Sequence, residues 1–397
     1  MEESKNKPSF PVKQELPKEF LKNNFWKCLY TSAGDELSYW VILPDNVKPV
    51  KLEPQPINDI GLTYIGQYVR IDESPYLEVQ VVYEHCPYEM NASDWIVKKL
   101  YLLQENIIDY RLINGKSTGK YLDALTYKKF PNGDEVISRL TVLKDFDMKK
   151  GGANYFCIKA SCPLSEYEKL SNHIFQITAN WDLIKKTDWQ MAENLKPFFV
   201  NFSEEVKFYV PFSWEITYDV HNTNINSRFV FAHNMGDQNK GVINAFFYEI
   251  TTVKDANEVL KKSLKRITDL NGFKNELSDL VKSKTVNPSI DELYTSAGLF
   301  FYEKENFTSY AHIIIIKTKK GWYYFESIGP KPNLENYYWE INKRCIELIQ
   351  NSFNNLEFKK QEEKINTPKS PGQSDGGYII VEDEIRRKRG FWDKLLG

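Results

Sequence analysis

The feature that most constrains this chain is a weak internal repeat. Segments of the same character follow one another in the same order twice, offset by about 168 residues. Each copy opens with an alternating strand that runs into proline. In the first it is Leu37-Ser-Tyr-Trp-Val-Ile-Leu-Pro44; in the second it is Val206-Lys-Phe-Tyr-Val-Pro211, followed by Phe212-Ser-Trp214. Such alternation suits a strand with one buried face, and proline, which cannot donate to a ladder, marks its end. A hairpin comes next: Leu62–Ile71 with Pro75–Tyr83, matched by Arg228–Ala232 with Gly241–Tyr248. Each copy then has a helix. Asn91 to Leu103 places Trp95, Ile96, Leu100 and Leu103 on one side, and Asp255 to Ile267 does the same with Val259, Leu260, Leu264 and Ile267.

Three strands follow in each copy. Tyr121–Phe130 pairs across Pro131-Asn-Gly133 with Val136–Leu143, because Asn-Gly tolerates positive φ at both positions, and Tyr155–Ala160 is the third. The second copy gives Leu299–Glu303, Ser309–Lys317 and Trp322–Ser327. Helices over Pro163–Ile177 and Pro332–Ile349 close the two copies, each with a proline and a capping residue ahead of its apolar stripe. Strand runs interrupted by two helices predict an α+β layer architecture: two tandem domains, each an antiparallel sheet packed with two main helices. The expected boundaries are an N-terminal tail over 1–24, a first domain over 25–185, a linker over 186–197, a second domain over 198–358 and a flexible tail over 359–397. A length of 397 residues suits two cores.

The order of strand ending in proline, hairpin, helix, three strands and helix resembles the PsbP-like fold. That superfamily takes in the photosystem II extrinsic protein, the Ran-binding Mog proteins, the DcrB lipoproteins and the DcrB-like Eag chaperones of type VI secretion effectors. The resemblance covers about 320 of the 397 residues as two copies and rests on element order, on the openings Tyr39–Pro44 and Phe208–Pro211, and on the closing helices. It implies an α/β/α sandwich in each domain and a binding function, and it carries over no catalytic residue. A bacterial protein without lipobox or export signal suits the secretion-chaperone branch, whose members look like sheet-based cradles for apolar effector helices.

Charge and cysteine usage narrow the function classes. A formal net charge of −2 provides no field to draw nucleic acid, so no nucleic-acid partner is expected. The five cysteines, Cys28, Cys86, Cys157, Cys162 and Cys345, are odd in number and form no C-x-x-C pair, so they read as buried free thiols in a reducing compartment. A polar N-terminus and the lack of any apolar run of about 20 residues lead to the expectation of a cytoplasmic protein.

Possible chemical motifs fall short one by one. Gly115-Lys-Ser-Thr-Gly119-Lys120 lacks the first glycine spacing of a phosphate loop and precedes a strand. Glu84-His85-Cys86 lies along a strand, where successive side chains point to opposite faces and cannot surround one metal. His173 and His312 read as core-edge histidines satisfied by hydrogen bonds. Tyr-Thr-Ser-Ala-Gly recurs at Tyr30–Gly34 and Tyr294–Gly298, out of step with the repeat. No catalytic residue, metal or cofactor is therefore expected, and the chain reads as a non-catalytic adaptor or chaperone. A structural subunit of a secretion apparatus and an enzyme of unrecognised type are the alternatives.

Two places are expected to meet a protein partner, such as a secreted effector or a secretion-system subunit. The first is the tail, where Arg386-Arg387-Lys-Arg389 precedes Phe391, Trp392, Leu395 and Leu396 on one helical face, the shape of a docking peptide. Membrane contact is expected only through this segment. The second is the pair of strand-opening aromatics, Trp40 and Trp214, with Tyr39 and Tyr209 beside them, which read equally well as core residues.

Overall fold

The structure, a computed structural model, describes residues 8–356 apart from 33–34, 52, 58–59, 71–75, 114–119, 202–203, 221–227, 236–237, 272 and 303–306. The chain divides into two compact units, with Ala192 ending the first and Glu193 beginning the second. In unit 1 the elements are α1 (Lys18–Asn24), β1 (Phe25–Tyr30), β2 (Tyr39–Pro44), β3 (Val47–Lys51), β4 (Gln55–Pro56), β5 (Thr63–Arg70), β6 (Glu78–Cys86), α2 (Ala92–Leu102), β7 (Asn106–Leu112), β8 (Lys120–Lys129), β9 (Glu135–Phe146), β10 (Ala153–Pro163), α3 (Tyr167–Ala179) and β11 (Trp181–Leu183). Unit 2 has β12 (Leu195–Asn201), β13 (Glu205–Pro211), β14 (Trp214–Val220), β15 (Arg228–Met235), β16 (Gln238–Glu249), α4 (Ala256–Asn271), β17 (Phe273–Leu277), β18 (Val281–Ser283), β19 (Glu292–Tyr302), β20 (Phe307–Lys317), β21 (Gly321–Gly329), α5 (Tyr338–Ser352) and β22 (Asn354–Asn355).

The pairing order is the same in both units. Unit 1 has an eight-stranded sheet in the order β3-β5-β6-β10-β9-β8-β7 with β4 added on β5; unit 2 has β14-β15-β16-β21-β20-β19-β17 with β18 added on β19. The pairings are antiparallel throughout. The opening strands, however, do not join these sheets. β2 and β13 are the centres of separate three-stranded sheets, β1-β2-β11 and β12-β13-β22. The third strand of each follows the closing helix, so the end of each unit returns to its beginning.

Helices pack on the large sheets because their apolar residues recur every three or four positions. In α3, Tyr167, Leu170, Ile174 and Ile177 join Val79, Ile158, Ile137 and the β2 residues Tyr39, Val41 and Leu43 in one core. In α5, Cys345, Ile346 and Ile349 join Phe247, Ile314, Phe325 and Phe208. The opposite face of the second sheet packs Phe246, Ile313, Ile315 and Tyr324 against Val259 and Ile267 of α4. Its counterpart α2 brings Trp95 against Tyr155, with ring centroids 5.6 Å apart. The five cysteines are all buried and free.

Both closing helices start later than their proline. Pro163 is followed by a tight turn over Leu164–Glu166 before α3 begins at Tyr167. Asn333 Oδ1 accepts from the backbone N of Glu335 and Asn336, and Asn336 Oδ1 accepts from Tyr338 N, so local turns use up the donors until Tyr338.

The described part of the expected N-terminal tail, residues 8–24, and the expected linker are built into the units. Residues 8–24 run along unit 1 and end in α1. Thr187 donates through its backbone N and its Oγ1 to Asp145, at 3.1 and 2.8 Å, and Ala192 N donates to Glu89 Oε2 at 2.7 Å. Leu195 already opens the first strand of unit 2.

One close approach fixes how the small sheet of unit 1 sits on the large one. A Cβ on Gly66 would fall 1.8 Å from Tyr39 Oη, and that hydroxyl is held 2.7 Å from Tyr68 Oη inside the core. Neither ring can swing aside, because both are fully buried. Gly66→Ala is therefore expected to destabilise unit 1 by about 1–3 kcal/mol through overpacking. Denaturant unfolding of the variant, compared with Gly321→Ala where the nearest atom would be 3.3 Å away, measures it.

Candidate functional site

The alternation of side chains assigns the face of unit 1's large sheet opposite α3. Thr126 pairs with Ser138, Ser138 with Ser161 and Ser161 with Glu78 across four neighbouring strands, so these residues share that face. One pairing step along, Ala124, Leu140, Lys159 and Gln80 form the next row. Helix α2, at 11 residues, covers only part of this face. Beyond it lies an open hollow of about 840 Å³. Its floor is Glu78, Gln80, Ser138, Lys159 and Ser161, and Tyr64, Tyr76, Leu103, Phe130 and Leu164 stand around it.

The polar groups of the floor are bonded to one another. Lys159 Nζ donates to Glu105 Oε1 at 2.7 Å, and Thr126 Oγ1 donates to Glu105 Oε2 at 3.0 Å. Glu78 Oε1 accepts from the side-chain amides of Gln67 and Gln80, each at 2.7 Å. The hydroxyls of Ser138 and Ser161 are 2.8 Å apart. Lys128 Nζ donates to the Leu103 carbonyl at 2.7 Å. Four carboxylates, Glu78, Glu105, Asp134 and Glu135, line the hollow against two ammonium groups, Lys128 and Lys159, so it carries a formal excess of two negative charges.

The electrostatics of the hollow follow from burial and from ion pairing. Burial works against the charge on Lys159, but the charge and hydrogen bond of Glu105 outweigh it and keep the pKa above the ordinary lysine value. A lysine held protonated cannot serve as the base of a serine–lysine pair. Burial pushes the Cys162 thiol up to about 12, far from the thiolate that a nucleophile requires. Burial also raises the Tyr64 phenol, although the Lys159 charge pulls it down.

The same face is built differently in unit 2. Lys159 and Cys157 of β10 correspond in the pairing order to Glu326 and Tyr324 of β21. There the Tyr324 hydroxyl donates to the buried Glu326 carboxylate, and Ile313 and Ala311 occupy the places of Leu140 and Ser138. Helix α4, at 16 residues, is longer than α2, and Arg266 lies over the Phe246 ring at 4.3 Å. The two units thus share a topology while their second faces differ in chemistry. No protein-family model matches the chain, and no curated protein does so either.

Those residues singled out from sequence that the structure describes do not line the hollow. Trp214 is fully buried, stacked on His233 at 5.2 Å, which removes it from any contact surface. The reason is the turn at Phe212-Ser213: it breaks the alternation of β13, leaves Phe212 exposed and returns Trp214 to the core. Tyr39 is likewise core. Trp40 is half-buried on β2 with Lys27 Nζ 4.4 Å above its ring, and Tyr209 is half-buried under Lys207. Arg386, Arg387, Phe391, Trp392, Leu395 and Leu396 lie outside the described residues, as does most of the loop at Gly115–Lys120.

Glu84, His85 and Cys86 separate onto the two faces of their strand. Glu84 accepts from Trp95 Nε1 at 2.5 Å, while His85 Nδ1 lies 3.0 Å from Asn154 Oδ1. Among the described residues no group of three or more His, Cys, Asp and Glu is placed to hold a metal. His173 is stacked on Phe25 at 5.6 Å and set edge-on to Phe20, and burial lowers its pKa; aromatic packing takes the place of the expected hydrogen bonds. Burial likewise lowers His312, to about 4. No helix of the described chain is long and apolar enough to cross a membrane.

The hollow did leave a trace in the sequence. Strands at the centre of a sheet covered on both faces read as continuous apolar runs. Here polar residues recur at every second position in neighbouring strands: Glu78 and Gln80, Thr126 and Lys128, Lys159 and Ser161. Such a pattern marks a face that is left uncovered.

Proposed function

We propose that this chain is a non-catalytic protein-binding adaptor or chaperone and that the hollow of unit 1 receives a segment of its partner. The observation that carries this reading is the hollow itself: about 840 Å³, aromatic at its sides, with a floor whose charged groups are held in place by hydrogen bonds. A volume in that range suits a bound group of small-molecule size, such as a few side chains of a partner segment. Two excess carboxylates favour a partner segment that presents basic or hydroxyl side chains. The element order of both units supports the PsbP-like α/β/α reading, and within it the secretion-effector chaperones are the branch that a sheet with an open face fits best. The tail from Arg386 to Leu396 then recruits a second component.

Affinity purification of the full-length protein from its own cells tests this. Gln80→Trp, which fills the floor with a bulky ring, is expected to lower recovery of the partner at least about tenfold, equivalent to ~1.4 kcal/mol of binding. Circular dichroism shows whether the variant is folded. Removing residues 378–397 is expected to leave that partner bound and to lose a different one. Full recovery of the same partner by folded Gln80→Trp protein would rule the hollow out.

A further inference from the structure

Residues 9–12 lie in unit 1 the way a bound peptide lies in its receptor. Three carbonyls of this short extended stretch each accept from a side chain of the body. Tyr167 Oη donates to Ser9 O at 2.7 Å, Arg139 Nη2 to Pro11 O at 2.7 Å and Arg111 Nη1 to Val12 O at 3.1 Å. Glu168 Oε1 accepts from Ser9 N at 3.0 Å. The Phe10 ring packs against the core and lies 4.4 Å from the Arg139 guanidinium, which also lies 4.8 Å from the Phe175 ring.

The clamp is preorganised by groups of the body alone. Asp123 holds Arg139 through both oxygens, at 2.9 and 2.7 Å, and holds Arg111 Nε at 2.8 Å. Both guanidinium groups are therefore fixed whether or not residues 9–12 are seated. Recognition through main-chain carbonyls with one ring in a socket is how receptors read extended peptides, and it asks for little sequence beyond the ring and the proline that keeps the chain extended.

We propose that this groove is a peptide-binding site for an extended aromatic–proline segment of a partner protein, and that Ser9–Val12 fills it as a built-in ligand of the chain itself. It is separate from the hollow, which lies on the opposite face of the sheet. A segment tethered this closely acts at an effective concentration of roughly millimolar, so a partner must exceed that or weaken the strap.

The test is fluorescence anisotropy with a labelled, C-terminally amidated peptide of residues 8–12, Pro-Ser-Phe-Pro-Val, which has no tryptic site. A chain lacking only residues 1–13 is expected to bind it saturably and at least tenfold more tightly than the unaltered protein. Alanine in place of Phe10 in the peptide should weaken binding at least tenfold, and Tyr167→Phe in the body several-fold. Full-length Phe10→Ala protein gives the same readout if the shortened chain does not fold. In the unaltered protein, peptide above millimolar concentration should speed tryptic cleavage at Lys13. Absence of saturable binding to either folded variant, or cleavage at Lys13 that ignores the peptide, overturns the proposal.

Discussion

Replacing Lys144 by methionine is expected to lower the stability of unit 1 by about 3–5 kcal/mol. Lys144 Nζ lies 2.5 Å from Glu89 Oε2 and donates to the Met90 carbonyl at 3.0 Å, and both side chains are almost wholly out of water. Removing the ammonium leaves a carboxylate buried without its counter-charge, and the cost of that outweighs anything the methionine gains by packing. The pair as a whole is worth much less than either half suggests, because desolvating two ions offsets most of their attraction. Lys144→Met combined with Glu89→Gln should recover more than half of the loss, since glutamine still accepts from Ala192 N. Amide exchange in β9 and β10 reports unit 1 separately from unit 2. A single-variant loss below about 1 kcal/mol would mean that water reaches the pair.

The two tryptophans that sequence reasoning grouped together are expected to part company. Trp214→Ala removes a fully buried ring from the core of unit 2 and should cost about 3–5 kcal/mol. Trp40→Ala removes a half-buried ring whose neighbour is Lys27, and should cost about 1 kcal/mol or less. Unit-resolved unfolding by amide exchange gives both values. Equal losses would contradict the burial of Trp214.

This contrast shows how far the sequence could be read. Patterns that depend on neighbours along the chain were legible: the Asn132-Gly133 turn joins β8 to β9 with Gly133 at φ +93°, and Asp255 Oδ1 accepts from Glu258 N at the start of α4. The repeated order of hairpin, helix, strands and helix survives in both sheets. What was hidden depends on distant partners. β11 is three residues long and exists because Trp181, Asp182 and Leu183 pair with β2. β3 contains Pro49, and it holds its place at the sheet edge by pairing with β5 alone. Trp214 falls in the core because a turn changes the phase of alternation, and α5 begins late because Asn333 and Asn336 bond their own turns.

The hollow was missed for a related reason. Each of its strands has polar residues of an ordinary kind, and only the alignment of four strands side by side makes them one surface. Lys159 and Glu105 lie 54 positions apart, and Glu78 is joined to Ser161 only by register. Once the register is known, the uncovered polar rows follow directly from the alternation in β6, β8 and β10.

Site-specific photo-crosslinking from the hollow tests the contact role most directly. With a photoreactive phenylalanine analogue in place of Phe130, an exposed ring at the rim of the hollow, in the full-length protein in its own cells, one discrete polypeptide adduct is expected. The same analogue at Val286, which stands fully exposed in unit 2, should give none. No polypeptide adduct at position 130, or the same adduct from both positions, would contradict it.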